Sequence, residues 1–281
     1  MAKKQELVVV TPEEQAYIDS MKPAGGNFGP GIAKLDFVIK LKKDENGNKI
    51  QPGQFQLGDK FAETVKFRPV RTFNQILKSA QKADGSFEVL AQTIYFSDYG
   101  QELLDSSGGL NCGRKFGKDL KGLSEEEAKK NKDSATVYLF VFGFATIGEE
   151  TIPAYMRLRG GKFYNFTTAL KAIPPNSVMG QFNFDMKLLE VDMPDGTIGY
   201  NLDVAPDLSE TLPISPILQF DREMLEWVSG ENKKILEKHL QARKYAGGDV
   251  GNAAGIADEF DDSQLKDVTP NPRDLDDQIP F

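Results

Sequence analysis

One cysteine, one histidine and one tryptophan stand among 281 residues, and each scarcity removes a class of protein. A single cysteine cannot close an intramolecular disulfide, and with a lone histidine it leaves no Cys/His set for zinc. A Ser-His-Asp site would have to use His239, which sits in a Lys/Glu-rich stretch of helical periodicity. A membrane-crossing helix needs about 20 consecutive apolar residues. The longest candidate, Ala135–Ile147, is shorter, contains Gly143 and reads as a buried strand. No basic stretch followed by an apolar core and a small-residue cleavage site opens the chain, so a cytoplasmic location is expected.

Charge is present but unevenly placed. The net charge is −8. From Ala246 onward nine acidic residues face only Lys266 and Arg273, so this stretch carries −7 and the first 245 residues −1. A nearly neutral body with a concentrated acidic tail differs from a uniformly acidic protein, and the low pI does not exclude a nucleic-acid partner.

Four segments follow from the patterning. Residues 1–30 form an arm: Thr11-Pro12-Glu13-Glu14 has the form of a helix start, and Pro23, Gly25, Gly26, Gly29, Pro30 and Gly31 then break all periodicity. Residues 31–220 are mostly β. Strands are expected at Leu35–Leu41, Thr64–Phe73, Phe87–Phe96, Ala135–Ile147, Ala154–Arg159, Phe182–Asp192 and Thr197–Val204, with turns at Asn46-Gly47 and Asp195-Gly196. A helix from Lys162 to Ala172 ends before Pro174-Pro175. Ser124-Glu125-Glu126-Glu127 starts a short polar helix, with Ser124 as cap and Glu127 at the capping-box position. Residues 221–246 are helical, with a break expected at Ser229-Gly230, and residues 247–281 are too acidic and poor in apolar groups to build a core, so disorder is expected. The overall expectation is a mainly β chain: an OB-type (oligonucleotide/oligosaccharide-binding) barrel with additional helices and a disordered acidic tail. A split β-sandwich is the alternative.

The chain ends Asp274-Leu275-Asp276-Asp277-Gln278-Ile279-Pro280-Phe281. A terminal Ile-Pro-Phe after clustered aspartates resembles the C-terminal tip of single-stranded DNA-binding proteins, and the long body is similar to the larger, phage-encoded members. The resemblance covers about eight residues closely, with Gln278 where bacterial tips usually carry a third aspartate. It implies single-stranded DNA binding and protection in replication, recombination and repair, with phage-encoded members acting in the host cytoplasm. It also implies that Ile279, Pro280 and Phe281 anchor in an apolar pocket on a polymerase, helicase/primase or nuclease, with Asp274, Asp276 and Asp277 against a basic rim. An exposed terminal Phe on a solvated acidic segment has no core to join, and capture of a terminal carboxylate is a recurring recognition mode.

Four stretches, one aromatic and three basic–aromatic, are candidates for the single-strand site. In Val137–Phe144 alternation puts Tyr138, Phe140, Phe142 and Phe144 on one face, either a base-stacking platform or a buried core face. In Tyr155–Tyr164, alternation joins Tyr155, Arg157 and Arg159, followed by Gly160-Gly161, Lys162 and Tyr164. Guanidinium groups beside an aromatic ring suit a phosphate backbone with stacked bases, although a solvated outer strand face has the same composition. Lys66–Phe73 contributes Arg68, Arg71 and Phe73, with Pro69 arguing for an edge strand and Tyr95, Phe96 and Tyr99 extending the surface. Gly113–Lys118 offers Arg114 and Lys115 on a flexible loop. No arrangement builds a catalytic centre, a phosphate-binding loop or a metal site, so an enzyme and a cofactor are not expected. A strand-annealing recombination mediator, or a replisome adaptor that does not itself bind DNA, are the alternatives.

Overall fold

The computed structural model describes residues 32–43, 47, 49–83, 87–97, 99, 102–193 and 196–245. The N-terminal arm with its Thr11 cap, and the acidic tail with Asp274, Asp276, Asp277, Ile279, Pro280 and Phe281, lie outside the described residues.

The protein is mainly β. Its strands are β1 (Ala33–Val38), β2 (Lys42–Lys43), β3 (Lys49–Ile50), β4 (Gln54–Leu57), β5 (Lys60–Ala62), β6 (Thr64–Gln81), β7 (Phe87–Gln92), β8 (Thr136–Ile147), β9 (Glu150–Leu158), β10 (Phe184–Asp192) and β11 (Ile198–Pro206). Among the described residues three α-helices accompany them: α1 (Glu125–Ser134), α2 (Gly161–Leu170) and α3 (Leu218–Tyr245). The chain divides into two compact units that interleave in sequence. Of the described residues, the first takes those up to Arg71, Val141–Met156 and Thr168–Glu223; the second takes Thr72–Phe140, Arg157–Thr167 and Met224 to Tyr245. Among the described residues no helix is long and apolar enough to cross a membrane.

The large sheet runs β11-β10-β6-β8-β9-β1-β4-β5, with β7 paired to β6 beside this path. It is mixed, because β1 lies parallel to β9 with Ala33 opposite Ala154, while β1–β4, β4–β5, β6–β10 and β10–β11 are antiparallel. The path does not close on itself, so the structure shows a large mixed sheet and not a closed barrel. Local turn chemistry sets the hairpins. Gly58, at φ +63, turns β4 into β5, with Leu57 opposite Lys60. Gly196, at φ +77, follows β10 into β11, whose nine pairs run from Phe184↔Pro206 to Asp192↔Ile198.

In the first unit the fully buried side chains include Leu35, Phe55, Phe67, Phe142, Met156, Phe184, Met186 and Leu202. The expected edge position of the Lys66–Phe73 strand is corrected: β6 lies between β10 and β8. Pro69 is tolerated there because the pairing with β10 stops at Phe67, so its missing N–H falls just past the last pair. Gly143 of β8 allows a close approach at the same place. A Cβ there would collide with the carbonyl of Arg68 and come within 2.9 Å of the Pro69 Cα.

In the second unit Ile76, Ala91, Phe96, Leu103, Cys112 and Ala135 form one core cluster. A second group of rings in this unit centres on Tyr95, with Phe140 at 5.1 Å, Trp227 at 5.7 Å and Phe73 at 6.3 Å between ring centroids, all edge-on. The Tyr95 N–H donates to Asn232 Oδ1 (2.7 Å) and the Asn232 amide donates back to the Tyr95 carbonyl (3.2 Å). Helix α3 runs through Ser229-Gly230 without the expected break. Within this unit Met224, Val228, Asn232, Ile235 and His239 form one buried stripe, and burying it outweighs the local cost of glycine, about 1 kcal/mol. A buried carboxylate, Asp105, orders the loop that follows it by accepting from Ser107 N, Ser107 Oγ and Gly109 N on one oxygen and from Cys112 N on the other. Its carbonyl lies 2.8 Å from His239 Nδ1. Burial and the neighbouring Asp105 raise the Cys112 thiol to about 12. Helix α1 buries no side chain and depends on its ends. The Ser124 hydroxyl accepts from the Glu127 N–H, and the Glu127 carboxylate accepts from the Ser124 N–H, completing the expected capping box.

Two outcomes follow. Gly143→Ala should lower the unfolding free energy by about 3 kcal/mol, since backbone atoms and not a flexible side-chain end block the new methyl; chemical denaturation measures it. The Glu127 carboxyl is held below its ordinary value by hydrogen bonds from the Ser124 N–H and hydroxyl. A depressed carboxyl stabilises the folded form above the unfolded value and loses that contribution as pH falls through the folded one. Amide exchange in α1 should therefore accelerate, relative to β8, on acidification below pH 4.5, and Glu127→Gln should flatten this dependence.

Candidate functional site

The expected aromatic ladder shares one face of β8, and what covers that face changes along the strand. Phe140, Phe142 and Phe144 are buried at 3%, 0% and 4% exposure, so these three are core and not a stacking platform. Phe142 stacks on Tyr155 and Phe144 lies 4.7 Å from Phe220. Tyr138, nearer the start of the strand, is only half-buried. On β9 the expected face splits in the same manner. Tyr155 is 5% exposed, and its stack on Phe142 removes it as a base-stacking candidate. Arg157 and Arg159 are exposed.

In the second unit Tyr138, Arg157 and Arg159 are brought together, with Lys162 close to Arg159. Strands β8 and β9 are neighbours, and the Arg157 guanidinium carbon lies 4.7 Å from the Tyr138 ring centroid, that of Arg159 6.0 Å. Arg159 also donates to the Tyr138 hydroxyl at 3.4 Å. Among the described residues neither arginine has a carboxylate partner within 4.0 Å. Gly160, at φ +56, then turns the chain into α2, whose first turn carries Lys162 and Tyr164. Burial and then the neighbouring Arg159 charge hold the Lys162 ammonium below the usual lysine value. Tyr164 is 46% exposed. Chemically this is a group of three cations around one phenol ring, suited to a flexible polyanion.

The other basic candidates have internal partners. Arg68 is 7% exposed; its Nε donates to the Gly180 carbonyl (2.8 Å) and its terminal nitrogen to the Pro213 carbonyl. Arg71 makes a two-pronged ion pair with Asp221, 2.6 Å on each side. Phe73 is 2% exposed against Tyr95. Arg114 donates to the Lys132 and Ala135 carbonyls at the end of α1 and lies 5.5 Å over Phe116. The expected flexible loop is thus pinned to a helix terminus, where a cation satisfies carbonyls left without partners. The Lys115 backbone is bracketed by the Asn131 side chain, 2.7 and 3.2 Å, while its own side chain is exposed. Tyr95 and Phe96 are buried, and the Tyr99 hydroxyl donates to Asn74 Oδ1 (2.7 Å), so these rings extend a core and not a surface. Arg68, Arg71, Phe73, Tyr155 and Arg114 therefore each have a partner within the fold, and Arg68, Phe73 and Tyr155 are buried.

Sequence reasoning missed the Asp105 anchor, for which Asp105-Ser106-Ser107-Gly108-Gly109 was an available turn signal. It also missed the outward apolar residues of β7: Phe87 is 72% exposed, Val89 49% and Leu90 52%. The first unit holds a groove of about 510 Å³ lined by Thr64, Lys66, Thr146, Asp185, Lys187 and Asp203. Its lysines face aspartates, Lys66–Asp185 at 3.7 Å and Lys187–Asp203 at 3.2 Å, so it offers no excess of positive charge. Among the described residues no group of three His, Cys, Asp or Glu side chains is placed to hold a metal ion. No family model matches the chain, and no curated protein or solved structure matches it.

Arg71 separates a structural from a binding role. Arg71→Ala should cost about 2 kcal/mol of stability, the value of charge-assisted hydrogen bonds. It should leave the salt dependence of any polyanion binding as in the wild type, read from denaturant midpoints and from titrations over a salt series.

Proposed function

We propose that the protein binds single-stranded DNA without strong sequence preference, holding exposed strands during replication, recombination or repair. The observation that supports this best is the pair of exposed guanidinium groups, Arg157 and Arg159, at one phenol ring with no carboxylate partner among the described residues. Elsewhere in the protein exposed lysines such as Lys66 and Lys187 meet an aspartate. Unpaired cations attract a condensed phosphate backbone and release its counterions, a gain that does not depend on base identity. Lys162 adds charge and Tyr164 offers a ring on which a base stacks, worth about 1–3 kcal/mol.

The finer parts of the proposal rest on the sequence. The mixed open sheet is read as a partly open OB-type barrel with added strands. The Asp274–Phe281 tip, by its resemblance to single-stranded DNA-binding proteins of the phage-encoded type, is assigned to recruitment of replication or recombination enzymes. The protein is proposed to act as a binding protein without enzymatic turnover, in the cytoplasm.

One observation favours the adaptor reading. The apolar side chains of Phe87, Val89 and Leu90 on β7 suit a protein partner better than a phosphate chain. Oligonucleotide titration decides between them, because an adaptor has no affinity for a single strand at low salt.

The test uses fluorescently labelled oligo-dT and the full chain. Affinity should fall steeply with salt, with a log–log slope of about −0.7 per phosphate neutralised. Arg157→Ala with Arg159→Ala should reduce that slope by about one to two phosphates while leaving the denaturation midpoint in place. An unchanged slope removes this surface from the site.

A further inference from the structure

Tyr138 has the composition of a base-stacking residue but the surroundings of a support. Its ring lies on a strand beside Arg157 and Arg159, whose guanidinium carbons stand 4.7 and 6.0 Å from the ring centroid, within reach of its quadrupole. Its hydroxyl receives a hydrogen bond from Arg159. The π-face that meets the arginines is thus covered before any nucleic acid arrives. Arginine side chains lose substantial rotamer freedom when fixed. A ring that holds two of them in place removes part of that cost in the free protein.

We infer that Tyr138 is a positioning residue: it orients Arg157 and Arg159 so that both meet adjacent phosphates of a single strand, and it does not itself stack a base. The inference rests on the single-strand reading and narrows it. This part of the surface reads the sugar-phosphate backbone.

Two properties distinguish a support from a stacking ring. Loss of a support weakens binding equally whether bases are present or not, and it has no effect once the arginines are gone. Loss of a stacking ring is felt only where there are bases, and it adds to the loss of the arginines.

The experiment compares the full chain with Tyr138→Leu, Tyr138→Phe, the double arginine-to-alanine variant, and that variant combined with Tyr138→Leu. Each is titrated with labelled oligo-dT and with an abasic oligomer of equal length over a salt series. Tyr138→Leu should weaken binding to both oligomers by the same factor, about fivefold, and lower the salt slope. Tyr138→Phe should restore both, since the ring is retained, and Tyr138→Leu should add nothing to the arginine variant. A loss confined to oligo-dT, additive with that of the arginines, overturns the inference and makes Tyr138 a stacking residue. An unaltered affinity in Tyr138→Leu overturns it as well. If the wild type binds neither oligomer at low salt, the single-strand reading fails, and the support is then decided in the free protein by nuclear magnetic resonance. Side-chain protons of Arg157 and Arg159 shifted upfield by the ring sustain it, and unshifted protons in the wild type overturn it. The wild-type measurement also decides the matter if the leucine variant does not fold.

Discussion

At Gly143 two backbones meet with no side chain between them, and much of the first unit follows from that contact. Because β8 presses on β6 at Arg68–Pro69, no Cβ is admitted there. Arg68, fixed at the same point, is buried and its guanidinium donates to the Gly180 and Pro213 carbonyls. Gly180 is crowded in turn by the Ile217 side chain, so the segment leading to α3 is tied to the sheet through a glycine and a buried cation. A buried guanidinium is stable only when carbonyls replace its water, and its loss would leave those acceptors unsatisfied. The close approach and the charge therefore depend on each other.

The balance of charges separates this interior use of arginine from the exterior one. The body is nearly neutral, yet its cations are not equivalent. Arg71 is matched by Asp221, Lys66 by Asp185 and Lys187 by Asp203, and Arg114 satisfies the last carbonyls of α1. Arg157 and Arg159 rest on a ring instead. A ring attracts a cation without neutralising it, so the positive potential persists outward where a carboxylate would have cancelled it. Net charge says little about such a surface; the partner of each cation decides it.

Local chemistry was legible in the sequence and long-range chemistry was not. The Ser124–Glu127 box, the hairpin at Gly196, the helix beginning at Gly161 and the exposed Arg157/Arg159 pair all follow from residues within a few positions of one another. The partners of Arg68 and Arg71 lie 112, 145 and 150 residues away, so nothing near these arginines in the chain marks them as internal. Pro69 points to an edge because the sequence does not reveal where the β10 pairing ends. At Ser229-Gly230 local propensity pointed to a break, and the buried stripe of α3 prevailed. The platform-or-core alternative for residues 138–144 was open for the same reason: alternation tells which residues share a face, not what covers it.

Trp227 is the chain's one indole, and it sits edge-on to Tyr95 in the second unit. Its emission is therefore a local gauge. Quenching, spectral shift and energy transfer from Tyr95 follow the aromatic hub of that unit alone, whereas far-ultraviolet circular dichroism sums over the strands of both. Coincident melting by the two signals marks one cooperative transition, and separated midpoints mark two. The distribution of a single chromophore thus makes the cooperativity of an interleaved chain measurable without any label.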